Sequence, residues 1–388
     1  MENFEFYSPT RIIFGKSQEN EVGKEIKKYA SKVMLVYGRN SIKTSGLYDR
    51  VIDSLNQEGI KHIELSGVQG NPLLSLARKG IELAKKENIE LVLAIGGGSV
   101  IDTAKAIAIG AKSDKDIWDY YAKGETVKEA LKVWTILTVV GAGSEMSNSS
   151  VLTNEENKLK RSVKSELIIP TFSILNPELT YTVSPYQTAC GSFDALSHLM
   201  ERYFTKTKNV ELTDHLIEAT MVTIIDNAPI AIKDSKNYAA RAELMWSATI
   251  AHNGLLNTGR VGDWACHAME HELSGELDIP HGEGLAMITP SWMNYVYKED
   301  IDRFVQFAQR VFKVNIEGSK EEIALKGIES LKQFASELGL KTDIKSLNLN
   351  DEILHALAHR ALTLVPSIGN FKKLKEEDIY QIYKLANN

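Results

Sequence analysis

Five short apolar runs constrain the first half of this chain more than anything else in it. They are Val33-Met-Leu-Val-Tyr37, His62-Ile-Glu-Leu65, Leu91-Val-Leu-Ala-Ile95, Trp134-Thr-Ile-Leu137 and Phe172-Ser-Ile-Leu175. Amphipathic stretches separate them and predict helices near 18–30, 45–58, 74–87 and 100–111. Strand and helix alternating in this way give a parallel sheet with helices on both faces. The opening stretch from Phe4 to Gly15, broken at Pro9, reads as extended structure. Such a strand pairs with a hairpin partner of its own or with a neighbouring subunit. After about residue 185 the texture changes. Apolar residues recur at three-to-four spacing, as from Leu212 to Ile225, and strand signals stop. The expected organisation is an α/β domain over 1–184 and an all-helical domain over 185–388.

The 388 residues are enough for two domains with their own cores. A hydrophobic content of 43% and a charged content of 25% are ordinary for a globular protein, and the formal charge of −6 leaves no basic footprint for nucleic acid. No apolar run is long enough to span a bilayer. Met1-Glu-Asn-Phe-Glu5 has no basic region followed by a hydrophobic block, so no export signal is visible. Two cysteines, Cys190 and Cys266, fit a reducing cytoplasm and no disulfide framework. Cys190 reads as a small buried hydrophobe, although it lies four residues before Asp194 and shares that side of a helix.

The third run ends in Gly96-Gly97-Gly98-Ser99 and leads into Val100-Ile-Asp102-Thr-Ala-Lys105. Strand, glycine turn and helix N-terminus together form a phosphate-binding arrangement: the backbone approaches closely and free N–H groups meet the anion. Ser99 and Asp102 also read as a capping-box-like pair, so part of the pattern is helix initiation. Ile101 excludes G-x-G-x-x-G, and no Gly-Lys-Ser/Thr follows, so taken alone the turn is either a diphosphate site or a plain tight turn. A second small-residue segment, Gly141-Ala142-Gly143-Ser144-Glu145, follows another strand-like run and favours a dinucleotide. After the first run come Gly38, Arg39 and Asn40, with no acid from 38 to 43 to take a ribose 2′-hydroxyl. Arg39 and Lys43 either meet a 2′-phosphate, which favours NADP(H) over NAD(H), or are solvated surface charges.

The helical half holds a different kind of signal. Asp194 and His198 stand four apart, His267 and His271 repeat that spacing, and His281 follows Pro280. Residues four apart share a helix face. One carboxylate with imidazoles suits a divalent transition metal, whereas a lone histidine is usually a satisfied core residue. Ala268 stands where the metalloprotease motif has its glutamate, which argues against a metal hydrolase. The site is expected in the cleft between the two halves.

Over essentially its whole length the chain resembles the iron-containing, or group III, alcohol dehydrogenases of the butanol dehydrogenase type. The matching segments are Gly96 to Asp102, Gly143-Ser-Glu145, Asn176-Pro-Glu-Leu-Thr180, Asp194 to Glu201 and His267 to Gly284, with Ala240 to Trp246 and Asn253-Gly-Leu255 in the helical half. The resemblance implies a dehydroquinate synthase-like fold: an α/β N-terminal dinucleotide-binding domain plus an all-α C-terminal domain. It implies that Asp194, His198, His267 and His281 bind one Fe2+ or Zn2+ ion, with His271 beside the nicotinamide and substrate as a catalytic proton relay or a structural hydrogen-bonding residue. Gly97, Gly98 and Ser99 then hold the diphosphate, Thr138 and Lys160 approach the cofactor, and Tyr203 and Trp246 are packing residues. His252 is a lower-ranked wall residue. Asn176, Ala142 and Arg39 depart from the family pattern, the last leaving cofactor choice open.

The implied activity is reversible hydride transfer between NAD(P)H and short-chain aliphatic aldehydes, with the metal as Lewis acid. The implied assembly is a homodimer through the N-terminal strands. A lyase or synthase on the same scaffold needs basic residues around the metal positions to hold an anionic substrate, and none cluster there in the sequence.

Overall fold

The computed structural model describes residues 1–387, which divide into two compact units. One is Ser8–Val183; the other is Met1–Tyr7 together with the described residues from Ser184 onward. The first seven residues therefore go with the helices and not with the sheet. The Met1 ammonium donates to the Lys208 carbonyl at 2.8 Å, and the Glu2 amide donates to the Gly259 carbonyl at 2.9 Å.

The α/β unit carries β1 (Arg11–Phe14), β2 (Lys32–Tyr37), β3 (Lys61–Leu65), β4 (Leu91–Gly96), β5 (Lys132–Leu137), β6 (Ser149–Asn154), β7 (Leu159–Lys164) and β8 (Phe172–Leu175). Six of them form a parallel sheet in the order β1-β8-β5-β4-β2-β3. The five apolar runs are all strands of this sheet. Of the two pairings expected of β1, the hairpin is not formed among the described residues: β1 pairs in parallel with β8, Arg11 opposite Phe172, and stands at the edge of the sheet. β6 and β7 form a separate antiparallel hairpin that the apolar runs did not reveal, because its alternation is carried mostly by polar residues.

The burial of each strand follows its place in the sheet. β4 is buried at all six positions, as expected of a central parallel strand covered on both faces. The edge strands β1 and β3 are largely exposed and carry Arg11, Lys61, His62 and Glu64. Cross-strand partners Val33 and Leu91, Leu93 and Trp134, and Trp134 and Phe172 line up in one face. That face packs on Val22, Ile26, Val51 and Leu55 of α1 (Val22–Ile26) and α3 (Leu47–Gln57), with the single turn α2 (Ser41–Thr44) before α3. On β4, β2 and β5 lies α5 (Gly98–Gly110), flanked by α4 (Leu74–Lys86) and α6 (Ile117–Ala122).

The helical unit runs through α7 (Pro185–Tyr203), α8 (Glu211–Lys233), α9 (Tyr238–His252), α10 (Ala265–Leu277), α11 (His281–Val296), α12 (Ile301–Arg310), α13 (Lys320–Glu337), α14 (Asp351–Arg360) and α15 (Glu376–Ala386). α7 packs against α8, α9 and α11, and α10 against α11. α7 starts cleanly, with Ser184 capping the Gln187 amide and Pro185 in the first turn. Gly282 allows the closest approach: a Cβ there would lie 1.9 Å from the Cys190 carbonyl oxygen, so α7 and α11 touch through bare backbone. No helix among the described residues is long and apolar enough to cross a membrane.

Candidate metal centre and dinucleotide turns

Three helices bring the metal-type residues together: α7 supplies Asp194 and His198, α10 supplies His267 and His271, and His281 opens α11. Asp194, His267 and His281 each offer one ligand atom, all within 4.8 Å of one another. Around Asp194 Oδ1 lie His198 Nδ1 at 3.7 Å, His267 Nε2 at 4.0 Å and His281 Nε2 at 3.8 Å. His198 thus meets the same oxygen without belonging to the mutually close trio.

These separations are too long for hydrogen bonds. A zinc- or iron-sized ion with ligands at about 2.1 Å sets them about 3.4 Å apart, so the spacing fits a cation among the side chains. Two buried nitrogens, His198 Nδ1 and His267 Nε2, have no hydrogen-bond partner within the protein. Burial, with His252 and His267 close by, holds the His198 imidazole well below its usual pKa. A neutral imidazole is the form that binds a metal. The donor set therefore fits a divalent cation.

Two glutamates orient the imidazoles. Glu201, seven residues after Asp194 on α7, accepts from His267 Nδ1 at 2.9 Å and from the His267 amide at 2.9 Å. Glu270 pairs with His281 Nδ1 and accepts from Ser274 Oγ at 2.6 Å. In both cases the carboxylate takes Nδ1 and leaves Nε2 facing Asp194, which is how outer carboxylates fix metal-binding histidines. Sequence reasoning assigned neither glutamate a role. The available signal was helical spacing, since Glu201 and Glu270 each lie three residues after a histidine of the cluster.

His271 lies outside the Asp194 trio. It is half-buried, its ring 5.5 Å from that of His281, in a second group with Glu270 and His281. His252 sits edge-on to His198 with ring centroids 4.2 Å apart, closer to the cluster than its low rank suggested. Tyr203 is buried and donates to Glu218 at 2.8 Å, whereas Trp246 is 42% exposed. Burial, followed by the charge of Glu283, pushes the Cys190 thiol up to about 12, in keeping with its reading as a small buried hydrophobe.

In the α/β unit the strand order reverses between β2 and β4: β3 lies on one side of β2, while β4 and then β5 follow on the other. Ligands of open parallel sheets bind outside the carboxyl ends of strands at such a point. Gly38, Arg39 and Asn40 leave β2 there, and Gly97, Gly98 and Ser99 leave β4 beside them. Arg39 is exposed and has no hydrogen-bond or ion-pair partner among the described residues, while Lys43 is spread over the Tyr48 ring at 4.7 Å. The two small-residue turns abut. A Cβ on Gly97 would come within 2.8 Å of the Val139 Cβ, and one on Gly98 within 2.6 Å of the Ala142 Cβ. Thr138 donates its amide to the Gly96 carbonyl at 3.0 Å, and Lys160 is buried on β7.

The capping-box expectation for Ser99 and Asp102 fails. Gly97 takes the N-cap place with no side-chain cap, and the Ser99 hydroxyl donates to the Gly70 carbonyl. The Asp102 carboxylate instead accepts from Ser144 Oγ at 2.6 Å and the Val151 amide at 2.9 Å. Asn176, the departure in its segment, donates to the buried Glu19 carboxylate at 3.0 Å and accepts from the Glu178 amide at 3.0 Å.

A carboxylate–imidazole cluster fit for a divalent cation in the helical unit and glycine turns at the switch point of the α/β unit are the features of a metal- and nucleotide-dependent enzyme. Two family models match the chain: iron-containing alcohol dehydrogenase over residues 9–177, and Fe-containing alcohol dehydrogenase family, C-terminal, over residues 188–387. The chain belongs to the iron-containing alcohol dehydrogenase family, and its reaction is NAD(P)H-dependent oxidoreduction between aldehydes and alcohols at a divalent metal. It is 44% identical to the probable NADH-dependent butanol dehydrogenase 1 of Bacillus subtilis over 387 residues, covering 100% of both chains. It is 32% identical to the NADPH-dependent aldehyde reductase YqhD of Escherichia coli, covering 98% of this chain and 95% of that one. The crystal structure of NADH-dependent butanol dehydrogenase A from Thermotoga maritima superposes with a TM-score of 0.96 at 41% identity, covering 100% of this chain and 99% of that one.

Proposed function

We propose that the chain interconverts short-chain aliphatic aldehydes and primary alcohols of the butanal–butanol kind, with Asp194, His198, His267 and His281 holding one Fe2+ or Zn2+ ion. The observation that carries this reading is the set of three imidazole nitrogens 3.7–4.0 Å from one oxygen of Asp194. When bound, the ion supplies Lewis acidity toward the substrate oxygen and the nicotinamide supplies or takes the hydride. The protein does the rest. Glu201 and Glu270 lock the Nδ1 positions of His267 and His281, so both rings keep Nε2 directed at the Asp194 side. The His271 imidazole, half-buried beside His281, takes the alcohol proton in one direction and returns it in the other. The backbone amides at Gly97, Gly98 and Ser99 hold the diphosphate, and Thr138 and Lys160 complete that side.

The proposed cofactor is NADP(H), with the unpartnered Arg39 guanidinium meeting the 2′-phosphate. The Bacillus and Thermotoga relatives carry NADH in their names, which favours NADH as a second reading. A homodimer in the cytoplasm completes the proposal. The exposed β1 edge supports the first, and the two free buried cysteines support the second.

The test is metal analysis of purified protein together with butanal reduction, run with NADPH and with NADH. His271→Ala should retain the metal while slowing turnover or moving its pH profile. Loss of metal from that variant means that the wrong imidazole was spared.

A further inference from the structure

One buried group has no part in the reaction as derived. Lys105 lies on α5, two turns in from the glycine turn, with no solvent exposure. Its Nζ donates to the Ser144 carbonyl at 2.8 Å, Ser144 Oγ at 2.9 Å, the Ser147 carbonyl at 2.9 Å, Ser147 Oγ at 3.3 Å and the Ser149 carbonyl at 2.8 Å. Three carbonyls of one loop thus converge on a single ammonium. An isolated buried ammonium is costly, and here the loop's own oxygens offset that cost. Burial pushes Lys105 down to about 8, against the opposing charges of Asp102 and Glu145.

Asp102, one turn nearer the glycines, reinforces the attachment. Its carboxylate accepts from Ser144 and Val151, and its carbonyl accepts from Ser150 Oγ at 2.9 Å. The loop fastened in this way continues from Gly141, Ala142 and Gly143, the turn that abuts Gly97 and Gly98.

We propose that Lys105 is a positioning residue for the dinucleotide: its ammonium clamps the Ser144–Ser149 loop to α5 and so fixes the Gly141–Gly143 turn against the glycine turn. The proposal rests on the reading of those turns as the dinucleotide site. It is specific to an ammonium, because five acceptors from one loop ask for a compact, multiply donating cation. A neutral side chain of the same length leaves the carbonyls buried without their donor, and the turn is then free to move away from Gly97 and Gly98.

NADPH affinity, measured by nicotinamide fluorescence on the intact metal-loaded protein, tests this alongside steady-state kinetics and metal content. Lys105→Met should weaken NADPH binding at least about tenfold, with metal content, kcat at saturating NADPH and aldehyde KM close to wild type. Gly98→Val, which puts a side chain against Ala142, serves as the reference. If Gly98→Val loses NADPH affinity and Lys105→Met keeps it, the Lys105 proposal is overturned. If Gly98→Val itself binds as wild type does, the assignment of the turns is what fails. Should Lys105→Met not fold, Ser144→Ala removes one acceptor and the Asp102 contact while keeping the lysine. That variant should bind NADPH about threefold more weakly, and unchanged affinity in it also overturns the proposal.

Discussion

The two units present opposite materials at their candidate ligand sites. In the helical unit the candidate cation site is built of charged and titratable side chains: three imidazoles around Asp194, with Glu201 and Glu270 behind two of them. In the α/β unit the candidate dinucleotide surface is nearly bare backbone. Gly97, Gly98 and Ala142 leave room and present amides, with the Lys105 ammonium buried and the Asp102 carboxylate half-buried behind them. A cation needs donor atoms at fixed separations, so side chains from three helices must be locked from behind. A diphosphate needs close approach and N–H groups, so side chains are best kept out of its way. On the proposed reading, buried charge serves the metal directly in one unit and loop geometry in the other.

If this contrast is right, the two functions separate under mutation. The largest effect is expected from Asp194→Ala, which should abolish bound metal and turnover while leaving NADPH fluorescence enhancement intact. Metal retained in that variant would refute the ligand set, and lost NADPH binding would erase the distinction between the units. Glu270→Gln keeps the shape behind His281 but removes its charge. Metal affinity measured by chelator competition should fall by about 10–100-fold, and an unchanged value would make Glu270 a packing residue. Gly282→Ala drives a methyl into the Cys190 carbonyl, 1.9 Å from where it must sit. Unfolding by denaturant should report a loss of roughly 1–3 kcal/mol, with weakened metal binding because His281 is the adjacent residue. Wild-type stability would show that α7 and α11 separate easily. The smallest effect belongs to Arg39→Gly. An exposed guanidinium contact is worth on the order of 1 kcal/mol, so the NADPH-to-NADH ratio of kcat/KM should drop about fivefold. No change in that ratio removes Arg39 from cofactor choice and leaves the field to NADH.

Sequence legibility divides along the same line. The parallel sheet was readable because its strands are continuous apolar runs, and burial on both faces forces such runs on any central parallel strand. The β6–β7 hairpin was not readable. It is a two-stranded ribbon whose alternation is carried by Ser, Thr, Asn, Lys and Arg, so no apolar run announces it. The pairing of β1 with β8 was not readable because an edge strand's partner is set by distant chain: Phe172 lies far from Arg11 in sequence. Ser99 and Asp102 have capping-box spacing, but Asp102 is drawn instead to Ser144 and Val151. Tertiary partners outcompete a local hydrogen bond when packing brings them against the carboxylate.

Spacing alone paired Asp194 with His198 and His267 with His271, because residues four apart share a helix face whatever packs on it later, while the choice of ligands among them came from the family resemblance. The sequence likewise marked Gly97 and Gly98 as a turn where backbone is left bare, since only glycine leaves that space. Only the tertiary structure decided which nitrogen each imidazole presents. That choice depends on Glu201 meeting His267 and Glu270 meeting His281 across helix boundaries. It also decided that Lys105 ends among five oxygens and not in water. Contacts between residues far apart in the chain exist only once the helices and loops have packed, and the partners of a buried charge are fixed by that packing.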